Sequence, residues 1–174
     1  MKSISEITYK VVAYSEIEEL PAEECIDWAM EMIEGGHDTP SLIMLACIEK
    51  PANYFETIEY LKKAIFELGL KEKIGEEAVI SYSYFYVKRI ADNINIKHNF
   101  RMLYSFYQDL EEHGSSIYDF CLLHWAWDQL DYDDIGFNHY WEGATNKNIE
   151  QIIIEVAQKW IEKNQTFYHQ PPLC

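Results

Sequence analysis

The chain has few of the residues that build loops and frameworks: of its 174 residues, only seven are glycine, five proline and four cysteine. With so few glycines and no GxGxxG or GxxxxGK[ST], it has no backbone cradle for a nucleotide phosphate. Cys25, Cys47, Cys121 and Cys174 form no CxxC pair and no close group, which excludes a zinc ribbon or a thioredoxin-type motif and reads as reduced thiols of a cytoplasmic protein. A GxSxG elbow is absent, and Cys25, Cys47 and Cys121 fall on apolar helix positions, so no nucleophile with a base and an oxyanion site emerges. No apolar run is long enough to cross a bilayer, and Lys2, Ser3, Ser5 and Glu6 stand where a signal peptide would need an apolar stretch. The expectation is a protein without membrane insertion.

Positive charge is missing from two long stretches. Between Ser15 and Glu34 there are Glu16, Glu18, Glu19, Glu23, Glu24, Asp27, Glu31 and Glu34 without a single Lys or Arg. Between Met102 and Asn146 there are Asp109, Glu111, Glu112, Asp119, Asp128, Asp131, Asp133, Asp134 and Glu142, again with none. The net charge of −16 therefore arises from two segments flanking a nearly balanced middle, Lys50 to Arg101. Such acidity repels phosphates and disfavours nucleic acid. YSYFY at Tyr82–Tyr86, beside Lys88 and Arg89, would suit base stacking, but helical spacing turns Tyr82, Phe85 and Tyr86 into the core and Tyr84 to solvent.

What is abundant is hydrophobic and aromatic: 48% and 15% of the residues, enough for a substantial core. Apolar residues recur at spacings of three and four. Ala22, Cys25, Ile26, Ala29 and Ile33 form a helix opened by Pro21 and stopped by Gly35-Gly36, and a short helix follows Thr39-Pro40. After the Lys50-Pro51 break come Tyr54, Ile58, Leu61, Ile65 and Leu68, ended by Gly69. Ala78 to Ile90 and Phe100 to Leu110 give two more helices. The next, Ile117 to about Leu130, is capped by Ser116 and apolar on most sides, which makes it the expected central helix. The last carries Ile149, Ile152, Ile153, Val156, Trp160 and Ile161. The first segment is open: Ser3 and Glu6 have capping-box spacing, while Ile7, Tyr9 and Val11 alternate as in a strand. The expected fold is one all-α domain over 1–174, six to seven helices in a bundle or a short stack of helix pairs, with 1–14 and 165–174 peripheral. No repeat signature of the TPR or HEAT kind is present.

From Glu23 to Leu70 the order of marks, Gly35-Gly36 after an acidic helix, SLxxLA at Ser41–Ala46 and PxxxFE at Pro51–Glu56, resembles that of small bacterial all-helical acidic proteins, and the stretch Ile149–Lys163 is similar to their closing helix. The resemblance carries no catalytic residue. Some of these proteins sit beside toxins as immunity proteins, which implies a toxin as one kind of partner.

Two site hypotheses follow. The first is a non-catalytic protein-binding module, of the immunity or inhibitor type, that docks a basic partner through Glu23, Glu24, Asp27, Asp131, Asp133 and Asp134, with Tyr132, Phe137, Tyr140 and Trp141 as aromatic anchors. The second is a metal or small-molecule site at His124 and Asp128, four apart and so on one helix face, near the 131–134 carboxylates. No second His stands in fixed spacing and the DxDxDG order of a calcium loop is absent, so a hydrogen-bonded core histidine is the plainer account of His124. His37-Asp38 reads as a capping segment, His139 as a loop anchor, and 131–145 as a loop pinned by its aromatics. No cofactor is expected.

Overall fold

The computed structural model describes residues 2–17, 20–110, 115–132 and 137–168, with the backbone alone for 115 and 165–168. Among these residues there are eight α-helices and no strand: α1 (Thr8–Val11), α2 (Ala22–Glu34), α3 (Pro40–Ala46), α4 (Tyr54–Glu67), α5 (Glu76–Ala91), α6 (Ile96–Asp109), α7 (Tyr118–Tyr132) and α8 (Ile149–Tyr168), with a 3-10 turn at Ser115–Ile117 before α7. The open N-terminal segment is thus a single helical turn, which takes the helix number one above the expected six to seven. The chain divides into two compact units, the first running to Tyr82 and taking in Tyr168 as well, the second spanning Ser83–Phe167.

Three helices end in the same way. In α2, Gly36 N–H donates to the Ile33 carbonyl and His37 N–H to that of Met32; Gly69 and Leu70 do the same after α4, and Asn93 and Ile94 after α5. Each closure needs a left-handed residue, supplied by Gly36 (φ 91°), Gly69 (φ 68°) and Asn93 (φ 58°). The two glycine stops match the sequence expectation.

In the first unit α2, α3 and α4 pack on one another around Trp28, Met32, Leu42, Leu45, Leu61 and Ala64, all fully buried. The N-terminal segment, expected at the periphery, adds Val11, Val12 and Ala13, each 0% exposed, to this core. Trp28 Nε1 donates to Thr8 Oγ1 (2.9 Å) and ties α1 to α2. Ser3 does not cap α1. Its N–H donates to the Gly35 carbonyl (3.0 Å), its own carbonyl accepts from His37 Nε2 (3.0 Å), and a Cβ on Gly35 would lie 2.4 Å from that carbonyl oxygen. Gly35 is therefore required by close approach, and His37 clamps the terminus instead of serving as a cap.

Continuous across the division, α5 buries Ala78, Ile80, Ser81, Tyr82, Ser83, Tyr84, Tyr86, Val87 and Ile90, positions that cover its whole circumference. Tyr84 is accordingly buried at 9% exposure and Phe85 half-buried, the reverse of the order that an amphipathic stripe implies. In the second unit α6 packs on α7, with Leu103, Ile117, Phe120, Leu123 and Ala126 buried. Ser116 gives α7 no side-chain cap; its hydroxyl makes no hydrogen bond, and its carbonyl accepts from Trp160 Nε1 of α8 (2.6 Å). Among the described residues no helix is long and apolar enough to cross a membrane.

Candidate functional site

α7 has two apolar sides. One faces the core with Phe120, Leu123, Ala126 and Leu130. The other carries Tyr118, Trp125 and Tyr132, seven residues apart and 48%, 41% and 92% exposed, with Leu122 and Gln129 half-buried between them. Residues seven apart return to one helix face, so these five form a continuous surface stripe. The sequence reading of a helix apolar on most sides was right about its pattern; burial does not follow, because one apolar side meets solvent.

Loop 137–145 lies against this stripe. Gln129 Oε1 accepts from His139 N–H (2.8 Å), and the Tyr140 ring lies 6.1 Å from that of Trp125. The loop is held by Asn138, 7% exposed, whose Oδ1 accepts from the Tyr140 and Trp141 N–H groups (3.0 and 2.7 Å) and whose Nδ2 donates to the Ala144 carbonyl (3.0 Å). The expected aromatic pins are on the outside: Phe137 is 59% and Tyr140 44% exposed, and Trp141 is half-buried. An Asn side chain that mimics the backbone holds a turn more cheaply than rings that must find a pocket.

The acidic binding candidates divide by unit. On α2, Glu24 pairs with Lys10 (2.6 Å), whose side chain is only 3% exposed; Asp27 pairs with Lys50 (2.5 Å); and Glu23 accepts from the Ala52 N–H (3.4 Å). All three are engaged inside the first unit. In the second, Asp119, Asp128 and Glu142 are exposed and make no ion pair among the described residues, while Asp131 pairs loosely with Lys97 (3.4 Å). Asp133 and Asp134 lie outside the described residues.

On the side of α7 turned toward α6, a cleft of about 160 Å³ is lined by Lys97, Phe100 and Arg101 of α6 and by His124, Trp127, Asp128 and Asp131 of α7. The His124 ring stacks on Tyr104, centroids 3.6 Å apart and planes 4° from parallel. Its Nδ1 is buried without a hydrogen bond, so the expected hydrogen-bonded core histidine is instead half-buried and held by stacking. Burial pushes its pKa below the ordinary 6.5, Asp128 pulls it back up and Arg101 pushes it further down. His124 and Asp128 do share one face, but among the described residues no group of three or more His, Cys, Asp or Glu side chains is placed to hold a metal.

Cys25 and Cys121 are buried free thiols; burial raises Cys25 to about 12, which makes it a poor nucleophile. Cys47 is exposed just past the end of α3, not on an apolar face, because that helix stops one residue before it.

No protein-family model matches the chain, and neither curated proteins nor solved structures give a match.

Proposed function

We propose that this protein is a non-catalytic binding module that docks a basic protein partner through the exposed stripe of α7 and the adjoining loop 137–145. The observation that carries the reading is the stripe Tyr118, Trp125 and Tyr132, rimmed by Asp119, Asp128 and Glu142 in a segment without Lys or Arg. Exposed aromatics with large contact areas are the usual anchors of an interface, and unpaired carboxylates around them steer a cationic partner and select for it. Exposed Phe55 and Phe66 on α4 offer apolar surface too, but Lys62 and Lys63 stand among their neighbouring carboxylates, so that face has no single sign. Glu23, Glu24 and Asp27 belong to the stability of the first unit and are left out of the interface. An immunity or inhibitor role, with a toxin as the basic partner and a cytoplasmic location that keeps the thiols reduced, is the form of this reading that the sequence resemblance favours.

Affinity capture from native extract tests it with Trp125→Ala, Tyr132→Ala and the charge reversals Asp119→Lys and Glu142→Lys. A basic partner should be retained by the wild type, more weakly at high salt, and each aromatic truncation should cost about 2 kcal/mol of affinity, roughly 30-fold, with unchanged thermal unfolding. A partner that binds all variants equally, or an acidic one, overturns the reading.

A further inference from the structure

We propose that the cleft between α6 and α7 binds a small zwitterion of the amino-acid class, with its carboxylate on Arg101 and its ammonium on Asp128 above the rings of Phe100 and Trp127. The cleft opens on a different side of α7 from Tyr118, Trp125 and Tyr132; Asp128 borders both, and the amino-acid titration below reads the cleft alone.

The inference starts from how the charges of the lining are satisfied. Lys97 and Asp131 answer each other: the ammonium lies 3.4 Å from the carboxylate and 5.4 Å from the centroid of the Trp127 ring. Arg101 and Asp128 line the same cleft and both act on the His124 imidazole, with opposite signs, yet neither makes an ion pair or a hydrogen bond among the described residues. A guanidinium and a carboxylate that share a cleft without closing on each other are complementary to a molecule with one anionic and one cationic end. Guanidinium recognises a carboxylate through two parallel N–H donors, and a carboxylate accepts from an ammonium in the same charge-assisted way.

The other ligand classes meet a repulsive group. A phosphate or other simple anion faces Asp128 and Asp131, and a metal ion or organic cation faces Lys97 and Arg101. His124 repels neither end, since desolvation favours its neutral form. The floor is apolar, with Phe100 3% and Trp127 8% exposed and their rings 5.8 Å apart. At about 160 Å³ the cleft has room for a small amino acid.

The test uses the full chain and heteronuclear NMR, following the Trp127 indole N–H, identified through Trp127→Phe, while the standard L-amino acids are added one at a time. At least one should give a saturable shift. The amide of that amino acid, which lacks the carboxylate, and its N-acetyl form, which lacks the ammonium, should each bind at least about tenfold more weakly, as expected when one charge-assisted contact is lost. Arg101→Gln should weaken the amino acid but leave its amide unaffected, and Asp128→Asn should weaken the amino acid but leave its N-acetyl form unaffected. Both positions are on the surface side of their helices, so the variants should fold, which their spectra will show directly. Absence of a saturable shift with every amino acid overturns the proposal. So does equal binding of the free and capped forms, or binding that survives both substitutions.

Discussion

Glu24 and Asp119 occupy the same place in their helices, the first turn of α2 and of α7, where the helix dipole favours a carboxylate. Their use differs. Glu24 reaches back to Lys10, an ammonium buried beside the Tyr82 ring, and neutralises it inside the first unit. Asp119 is exposed and meets no cation among the described residues. The same contrast extends to their neighbours: Glu23, Asp27, Glu31 and Glu67 each receive a hydrogen bond or an ion pair from another element of the first unit, while Asp128 and Glu142 of the second receive none among the described residues. The two acidic stretches thus differ in use: carboxylates of the first are engaged within their own unit, while Asp119, Asp128 and Glu142 of the second meet no cation among the described residues.

The contrast breaks most visibly at Glu24. Glu24→Ala should destabilise the protein by about 2.5 kcal/mol, because it removes a charge-assisted pair from a buried ammonium. Asp119→Asn, the matched change in the second unit, should stay within about 0.5 kcal/mol, as surface substitutions do. Urea denaturation followed by circular dichroism measures both. Equal losses at the two positions would mean that Asp119 is also structural, and the docking reading would lose its premise.

Asn138 sharpens the comparison from the other side, since in the second unit it is an amide that does the holding. Asn138→Ala removes three hydrogen bonds and should cost about 2 kcal/mol, with the loss concentrated in faster hydrogen exchange of the Tyr140 and Trp141 amides. Partner affinity should fall with it, because Tyr140 would no longer be set beside Trp125.

How much of this was legible in the sequence depends on distance along the chain. The helices were readable because their apolar residues repeat within one element, as in Leu61 and Ile65 or Leu103 and Tyr107, and because Gly36 and Gly69 mark their ends chemically. Asn93, the third such stop, sits among other polar residues and gives no comparable signal. The use of the charges was hidden because it is settled across elements: Lys10 lies 14 residues from Glu24, and Lys50 23 from Asp27. Periodicity also cannot say which of two helices, both apolar on more than one side, lies inside. Hence α7 reads as the central helix, although one of its apolar sides is exposed. For the candidate site, Tyr132, Phe137 and Tyr140 were visible as aromatics in a polar stretch. Trp125 and Tyr118 were not, being embedded in an apolar run, although their seven-residue spacing from Tyr132 was available. Arg101 became informative only once α6 brought it to the cleft that Asp128 lines.

The smallest expected effect concerns Glu67, at the end of α4, which closes the N-terminus of α3. Thr39 stands at the cap position of that helix without a side-chain cap bond, and the work passes to Glu67, whose carboxylate accepts from Ser41 Oγ (2.6 Å) and Ser41 N–H (2.9 Å). These bonds to Ser41 hold the Glu67 carboxyl below the ordinary 4.5. A carboxylate with a lowered folded-state pKa contributes stability that is present above the unfolded value and disappears as pH falls through the folded one. The Glu67 contribution should therefore be complete at neutral pH and decline below 4.5. Glu67→Gln should cost about 1 kcal/mol at pH 7 and progressively less at lower pH, as measured by paired urea titrations of wild type and variant. A difference that stays constant through that range would assign the effect to packing of the α4 end, and would remove Glu67 from the carboxylates that distinguish the first unit from the second.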